Sequence, residues 1–314
     1  MRRLRQSSTR RGVVLLVVLA AIVVAGVALS SLATQSVARV RQADDAAVAV
    51  QRRWAERSIE RMMLRQAEGI FRRRDEAAAA GIEVSSRHQV RLQLPFGEQM
   101  FDVIVADEDS KANLNLLYHA GDRRAVEQAI ETLGGPGARS IATIRPLVPP
   151  QPIARTEERA DDDGDEESAV PPLAPAFTTW ADVFDIAAMR QQTGDARTLA
   201  TLSGRMTLWG GGQLNVRRAD AETLQSVIQA VVPEGQARLL VERLTDGGLS
   251  DLGLLIDRTV KSPQRRRELK RMLGAASVSH SVWIESASPH GRTQSFAVQT
   301  TDGDGTVRTV GFRL

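Results

Sequence analysis

Polar and apolar positions change pattern several times along this chain, and each change predicts an element. From Val13 to Ala38 there is no charged residue. These 26 residues would form a helix of about 39 Å, enough to cross a bilayer. From Arg39 to about Arg74 charged and apolar residues alternate at helical spacing, with neither Gly nor Pro before Gly69. Val37, Val40, Ala43, Ala47, Val50 and Trp54 stand three or four apart, and Ile59, Met62, Met63 and Ile70 continue the stripe. Good helix formers fill the remaining positions. The expectation is one rod of roughly 60 residues, about 90 Å long, with its first half in lipid and its second packing one face on a soluble domain.

Period-two alternation follows. His88 to Leu94 alternates, Pro95-Phe96-Gly97-Glu98 turns, and Met100 to Val105 returns. From Asp107 to about Met272 the pattern becomes short helices separated by Gly-containing turns. Strand signals reappear at Val278–Ala287, Thr293–Thr300 and Thr306–Leu314, with turns at Pro289-His290-Gly291 and Asp302-Gly303-Asp304-Gly305. Two β segments bracketing a helical block predict an α+β fold: a long N-terminal helix on a small antiparallel sheet, interrupted by an all-α insertion. The expected segments are 1–12 (leader), 13–38 (transmembrane), 39–75 (amphipathic continuation), 76–108 with 271–314 (β domain) and 109–270 (insertion).

Within the insertion a weak repeat is visible. Asn113-Leu114-Asn115 precedes a helical run to Leu133, a Gly-rich turn and Ala138–Ile144, with a further short helix opened near Thr178. The second copy reads Gln213-Leu214-Asn215, Ala219–Val232, a turn at Pro233-Glu234-Gly235, Ala237–Leu244 and a closing Gly248–Leu252. Thr178 and Ser250 are the expected helix caps. The tandem resembles helix-hairpin-helix or SAM-like modules. Residues 146–175 hold seven of the twelve prolines, and eight acidic residues fall between Glu157 and Glu167. That composition predicts an unfolded linker.

The residues before the apolar run bear on its fate. Five arginines (Arg2, Arg3, Arg5, Arg10, Arg11) precede Gly12, which by the positive-inside rule places the N-terminus in the cytoplasm and the body outside. Three cleaved leaders fit, alongside an uncut anchor. A secretory signal would be cut at Ser31-Leu32-Ala33 or Ser36-Val37-Ala38. A twin-arginine signal loosely matches Thr9–Val14. A prepilin-type leader would be cut between Gly12 and Val13, with the apolar helix retained as anchor. The continuous helix beyond the apolar run favours the last.

Charge changes the picture only through this leader. The whole chain is +3 with pI near 9.9. Loss of five arginines leaves 36 basic against 38 acidic side chains, a net of −2, so the exported body has no strong electrostatic footprint. There is no cysteine, which excludes disulfides, thiolate nucleophiles and cysteine metal sites. His88, His119, His280 and His290 show no metal-site spacing, and no nucleophile elbow or phosphate loop is present. Gly210-Gly211-Gly212 precedes a strand-like segment and reads as a turn. No enzyme is expected. The acidic run Asp161–Glu167 lacks EF-hand spacing, so calcium is conceivable without assignable ligands.

Asp107-Glu108-Asp109-Ser110-Lys111-Ala112-Asn113-Leu114-Asn115 resembles the "D-E-x-x-K-x-N-L-N" segment of K-type minor pseudopilins of the type II secretion (general secretion) pathway. With the Arg-Gly leader, long helix and tandem insertion, the resemblance covers nearly the whole chain. It implies a non-enzymatic single-pass inner-membrane protein with a periplasmic body, cut by a prepilin peptidase. It also implies a place at the tip of the pseudopilus with I- and J-type minor pseudopilins and the major pseudopilin. No cofactor or nucleic acid is implied, although some resembling proteins bind calcium. Most pilin-like proteins carry Glu at the fifth mature position. Val17 stands there, as in K-type members, while Val13 replaces the usual Phe or Met and leaves N-methylation open.

The alternative is a membrane-tethered DNA-binding protein of a type IV pilus or DNA-uptake system. Leu214–Leu224 resembles the opening of helix-hairpin-helix modules, with Arg217 and Arg218 as candidate contacts. Such modules hold phosphate on the backbone of a Gly-x-Gly hairpin. The second copy has Pro233-Glu234-Gly235 there, and the first keeps Gly135-Pro136-Gly137 with little nearby charge beyond Arg139 and Arg145. A protein-binding surface is the expected role of the repeats.

Overall fold

The computed structural model describes residues 9–82, 84, 86–97, 99–135, 137–151, 173–193, 201–246, 251–288, 291–301 and 305–313. The chain divides into two compact units, Met1–Ser58 and Ile59–Leu314. Helix α1 is a single element, Thr9–Ala79, of 71 residues.

In the first unit the side chains from Val14 to Val40 are exposed, and the helix is long and apolar enough there to cross a membrane. Contiguous apolar surface on this scale is not left in water. The expected stripe is corrected. Val37, Val40, Val50 and Trp54 are exposed, Trp54 by 64%. In the second unit the buried positions are Ile59, Met63, Ala67 and Phe71, each four apart, with Leu64 beside them, while Met62 is exposed. An i, i+4 row lies on one helix face, whereas the expected stripe drifted around it.

The sheet has order β1-β2-β7-β8-β9 and is antiparallel throughout. Its strands are β1 (Gln89–Phe96), β2 (Gln99–Asp107), β7 (Ser279–Ser288), β8 (Gly291–Thr301) and β9 (Val307–Arg313). Pro95 and Phe96 belong to β1, not to the turn, and Gly97 follows them at φ +62. Pro95 is tolerated because β1 is an edge strand. Phe101, Val103 and Val105 alternate inward along β2, and their β7 partners Ile284 and Val282 lie on the same face. Phe71 of α1 stacks on the His280 ring at 5.8 Å, placing the helix against that face. The opposite face carries Trp283, Phe296 and Val298, against which Trp209 of the insertion packs.

β2 and β7 are neighbours in the sheet, so everything between them is inserted at one strand end. The insertion contains α2 (Leu114–Leu133), α3 (Ile186–Thr193), α4 (Ala221–Gln229), α5 (Glu234–Thr245), α6 (Leu252–Thr259) and α7 (Pro263–Met272). Two short parallel ladders close it. β3 (Ala112–Asn113) pairs with β4 (Met206–Thr207), and β5 (Leu214–Asn215) pairs with β6 (Leu273–Gly274). Each copy therefore begins and ends on a two-residue ladder, and a single apolar core runs through both.

These ladders shift the register of the repeat. Asn113 and Asn215 are equivalent, since each ends its ladder strand and its side chain accepts the backbone N–H two residues on. Asn115, although it too follows a Leu, is therefore not the counterpart of Asn215. The caps also differ from expectation. Thr179, not Thr178, is the N-cap of the short 3₁₀ turn Trp180–Asp182, whose Asp182 accepts the N–H groups of residues 178 and 179 at 2.9 and 2.8 Å, and Asp251 caps α6 while Ser250 lies outside the described residues. The run to Leu133 is broken at Gly121-Asp122, where Asp122 takes φ +59 and its carboxylate accepts Arg124 N–H. Ala138–Ile141 forms only a short 3₁₀ turn.

Replacing Phe71 by Ala should cost about 3–5 kcal/mol of unfolding free energy, and Trp54→Ala less than about 0.5. Denaturant unfolding of the detergent-solubilised protein measures both. Equal losses would restore the original stripe.

Candidate functional site at the junction of sheet and insertion

The resemblance-bearing run lies where β2 leaves the sheet, and its charged residues are almost wholly buried. Asp107, Glu108, Asp109 and Lys111 are each under 5% exposed. Such burial is costly unless every charge finds partners, and here each does.

Asp107 Oδ1 accepts the Asp109 N–H at 3.0 Å and caps a 3₁₀ turn over Glu108–Ser110. Its Oδ2 accepts from Arg218 Nη1 at 3.0 Å and from Ser277 Oγ at 2.6 Å. Glu108 accepts from Lys111 Nζ, Ser281 Oγ and Thr207 Oγ1, linking the turn to β7 and to the ladder that ends the first repeat. Asp109 accepts three backbone N–H groups: Gly211 at 2.6 Å, Val278 at 2.7 Å and Ser279 at 2.9 Å. It thus holds the inter-repeat link and the start of β7 on one carboxylate. A Cβ at Gly211 would lie 2.3 Å from Val278, so only glycine allows this approach.

The two asparagines of the run act on backbone. Asn113 caps α2 through Asn115 and Leu116 N–H. Asn115 accepts Phe177 N–H at 2.7 Å and donates to the carbonyls of Phe177 (3.0 Å) and Leu208 (2.8 Å). Its amide thereby joins two distant segments of the first repeat.

Arg218 connects the second repeat to helix and sheet together. It is 5% exposed, donates to Asp75 Oδ2 from Nε (2.9 Å) and Nη2 (2.7 Å), reaches Glu68 at 3.5 Å, and lies 5.2 Å over the Phe71 ring. Burial alone would lower its pKa, but Asp75 and Asp107 reverse this and hold the guanidinium charged. His280 Nε2 lies 3.3 Å from Glu68, out of hydrogen-bond alignment. That contact holds the Glu68 carboxyl below its ordinary range, against burial, with Arg218 assisting. Burial pushes the Asp109 carboxyl up to about 6, a rise that its three N–H donors limit.

The other sequence-predicted positions lie elsewhere. The backbone of Gly12 and Val13 is helical within α1, and their side chains are outside the described residues. Val17 is 61% exposed among equally bare Val14, Leu15 and Val18. The acidic run 161–167 is outside the described residues, and no metal-holding cluster of His, Asp or Glu occurs among those described. Arg218, considered above as a DNA contact, is committed to carboxylates and has no surface to offer a phosphate. Residue spacing did not announce Asp75, Glu68, Thr207 or Ser281. The one available signal was a triple-acid turn followed by a lone Lys, which demands buried partners.

No family model matches the chain, and no curated protein sequence matches it either. Among solved structures, the GspK-GspI-GspJ complex from the enterotoxigenic Escherichia coli type 2 secretion system is similar. One of its chains aligns over 84% of this chain and 98% of its own length, at 16% identity and a TM-score of 0.37.

Two outcomes follow from the junction. Arg218→Ala leaves Asp107 buried and unpaired, and should cost about 3–5 kcal/mol in denaturant unfolding. For Asp109, the folded state holds a proton more tightly than the unfolded chain. Its contribution to stability is therefore full near pH 4 and lost as pH rises through about 6. The stability difference between wild type and Asp109→Asn should accordingly shrink, by on the order of 2–3 kcal/mol, between pH 4 and 7. A difference independent of pH would show that Asp109 is not held in this way.

Proposed function

We propose that this chain is a K-type minor pseudopilin of the type II secretion system, capping or nucleating the tip of the periplasmic pseudopilus. It acts as an assembly component, not as an enzyme. The supporting observation is one combination: an apolar helix bare of its own chain, continuous with a segment that packs on an antiparallel sheet, which is interrupted between adjacent strands by a helical insertion. The Asp107–Asn115 run, whose resemblance suggested the family, is the hinge of that interruption.

In this reading a prepilin peptidase cuts between Gly12 and Val13, and residues 13–38 stay in the inner membrane with the body periplasmic. I- and J-type minor pseudopilins are its partners, with the major pseudopilin below. A carboxylate held in lipid costs several kcal/mol unless paired. Val17 avoids that cost and forgoes the tether to a subunit already in place, which suits a subunit that enters first. The insertion leaves the sheet at one end and adds bulk that hinders stacking of a further subunit.

Intact mass of membrane-purified protein should show loss of residues 1–12, and the protein should co-purify with I- and J-type partners. Val17→Glu should be tolerated or mildly harmful. Replacing residues 109–277 by a short turn, with Asp107→Asn to remove the orphaned charge, should spare membrane insertion and alter pseudopilus length or initiation. A mature start near Thr34 or Arg39, or normal filaments and secretion without the insertion, would overturn the assignment.

A further inference from the structure

The body's charge is close to balanced in total but segregated in place. Between Asp257 and Arg271, seven basic side chains stand against two acidic ones. Asp257 takes Lys270 at 2.7 Å and Arg266 at 3.7 Å, and Glu268 accepts from Gln264. Exposed Arg258, Lys261, Arg265 and Arg267 then have no acidic partner among the described residues. The complementary charge lies in the same chain, where eight acidic residues and one Arg occupy Glu157–Glu167.

The base of that acidic segment is fixed. His119 Nδ1 accepts Gln151 N–H at 3.0 Å, and its Nε2 meets the Ala174 carbonyl at 2.8 Å. Leu147 N–H reaches Ala176 O at 2.8 Å. Both ends of residues 152–172 are thereby tied to α2 through one imidazole. From Gln151 to Asp162 is 11 residues, a reach of up to about 40 Å. Helices α2, α4, α5, α6 and α7 pack in that succession. Even laid in a straight row they would put α7 about 32–40 Å from α2 at 8–10 Å per step, with Arg258 and Lys261 one step nearer. A tether closed at its base also presents its charges at an effective concentration on the order of millimolar, so individually weak surface pairs suffice.

We infer that the basic face formed by the end of α6 and by α7 is a docking surface for the chain's own Glu157–Glu167 segment. Carbodiimide coupling of the full-length detergent-solubilised protein tests this without any secretion partner. Lys261 or Lys270 should couple to carboxylates of 157–167. The coupling should fall several-fold in 0.5 M NaCl, where the screening length drops to about 4 Å, and vanish in the Arg265→Glu/Arg267→Glu variant. Unfolding of that variant should match wild type, since both positions are exposed. No coupled peptide, or coupling indifferent to salt and to charge reversal, would refute the docking. With mixed isotope-labelled protein, coupling only between copies would likewise overturn it and assign the face to a neighbouring molecule.

Discussion

The structure depends on keeping charge buried at the end of β2. Asp107 is fully enclosed, and an enclosed carboxylate must be neutralised or protonated. Its neutralising partner, Arg218, comes from the second repeat and in turn needs Asp75 and Glu68 of the helix. One unavoidable electrostatic demand therefore forces helix, sheet and insertion to meet at one point. Buried ion networks add little net stability compared with apolar packing, but they punish mismatched arrangements severely. Here the network fixes which way the second repeat faces, a task that an apolar patch would perform less exactly.

This constraint explains how so long an insertion fits between two adjacent strands. Closing a loop costs entropy that grows with its length, though only slowly. An insertion whose own ends meet presents the sheet with a short effective connection. The β3–β4 and β5–β6 ladders bring the ends of each repeat together, and Asp109 then ties Gly211 to Val278 and Ser279. Aromatic contacts continue the attachment on the far face of the sheet. Trp283, Phe296, Trp209 and Trp180 form a chain with centroid spacings of 5.4, 5.1 and 6.0 Å. The insertion is thus held by charge at one edge and by rings at another, which resists rotation about either.

Periodicity made the strands legible, because alternation over several residues has few competing explanations. The apolar helix was legible for the same reason. The amphipathic stripe was not: Val37, Val40, Val50 and Trp54 have the right spacing, yet spacing alone does not show which face finds a partner. The repeat was visible from Leu-Asn, but its register depended on two-residue ladders too short to leave a pattern. Arg218 shows the same limit in the site. An Arg at the start of a helix-hairpin-helix-like segment looks available to phosphate, and only the fold shows that Asp75 and Asp107 already hold it. The Asp107–Asn115 run was recognisable as a whole, while the work of Asp107, Glu108 and Asp109 required partners more than a hundred positions away.

Two kinds of surface remain on the molecule, and they divide the work of assembly. The bare apolar helix gains free energy in any lipid or against any apolar helix, so it supplies affinity with little discrimination. Discrimination has to come from features whose mismatch is costly, and these lie in the body as charges and shaped turns. The junction uses its charges internally, and Asp107, Glu108, Asp109, Lys111 and Arg218 are all buried. The basic face of α6 and α7 keeps its charges outward, and the acidic segment carries the opposite sign. If the two pair within one molecule, they are withheld from neighbours until another acidic surface displaces the segment. Contact with that surface would then be decided by competition between tethered and free carboxylates, a comparison in which a poorly matched neighbour loses.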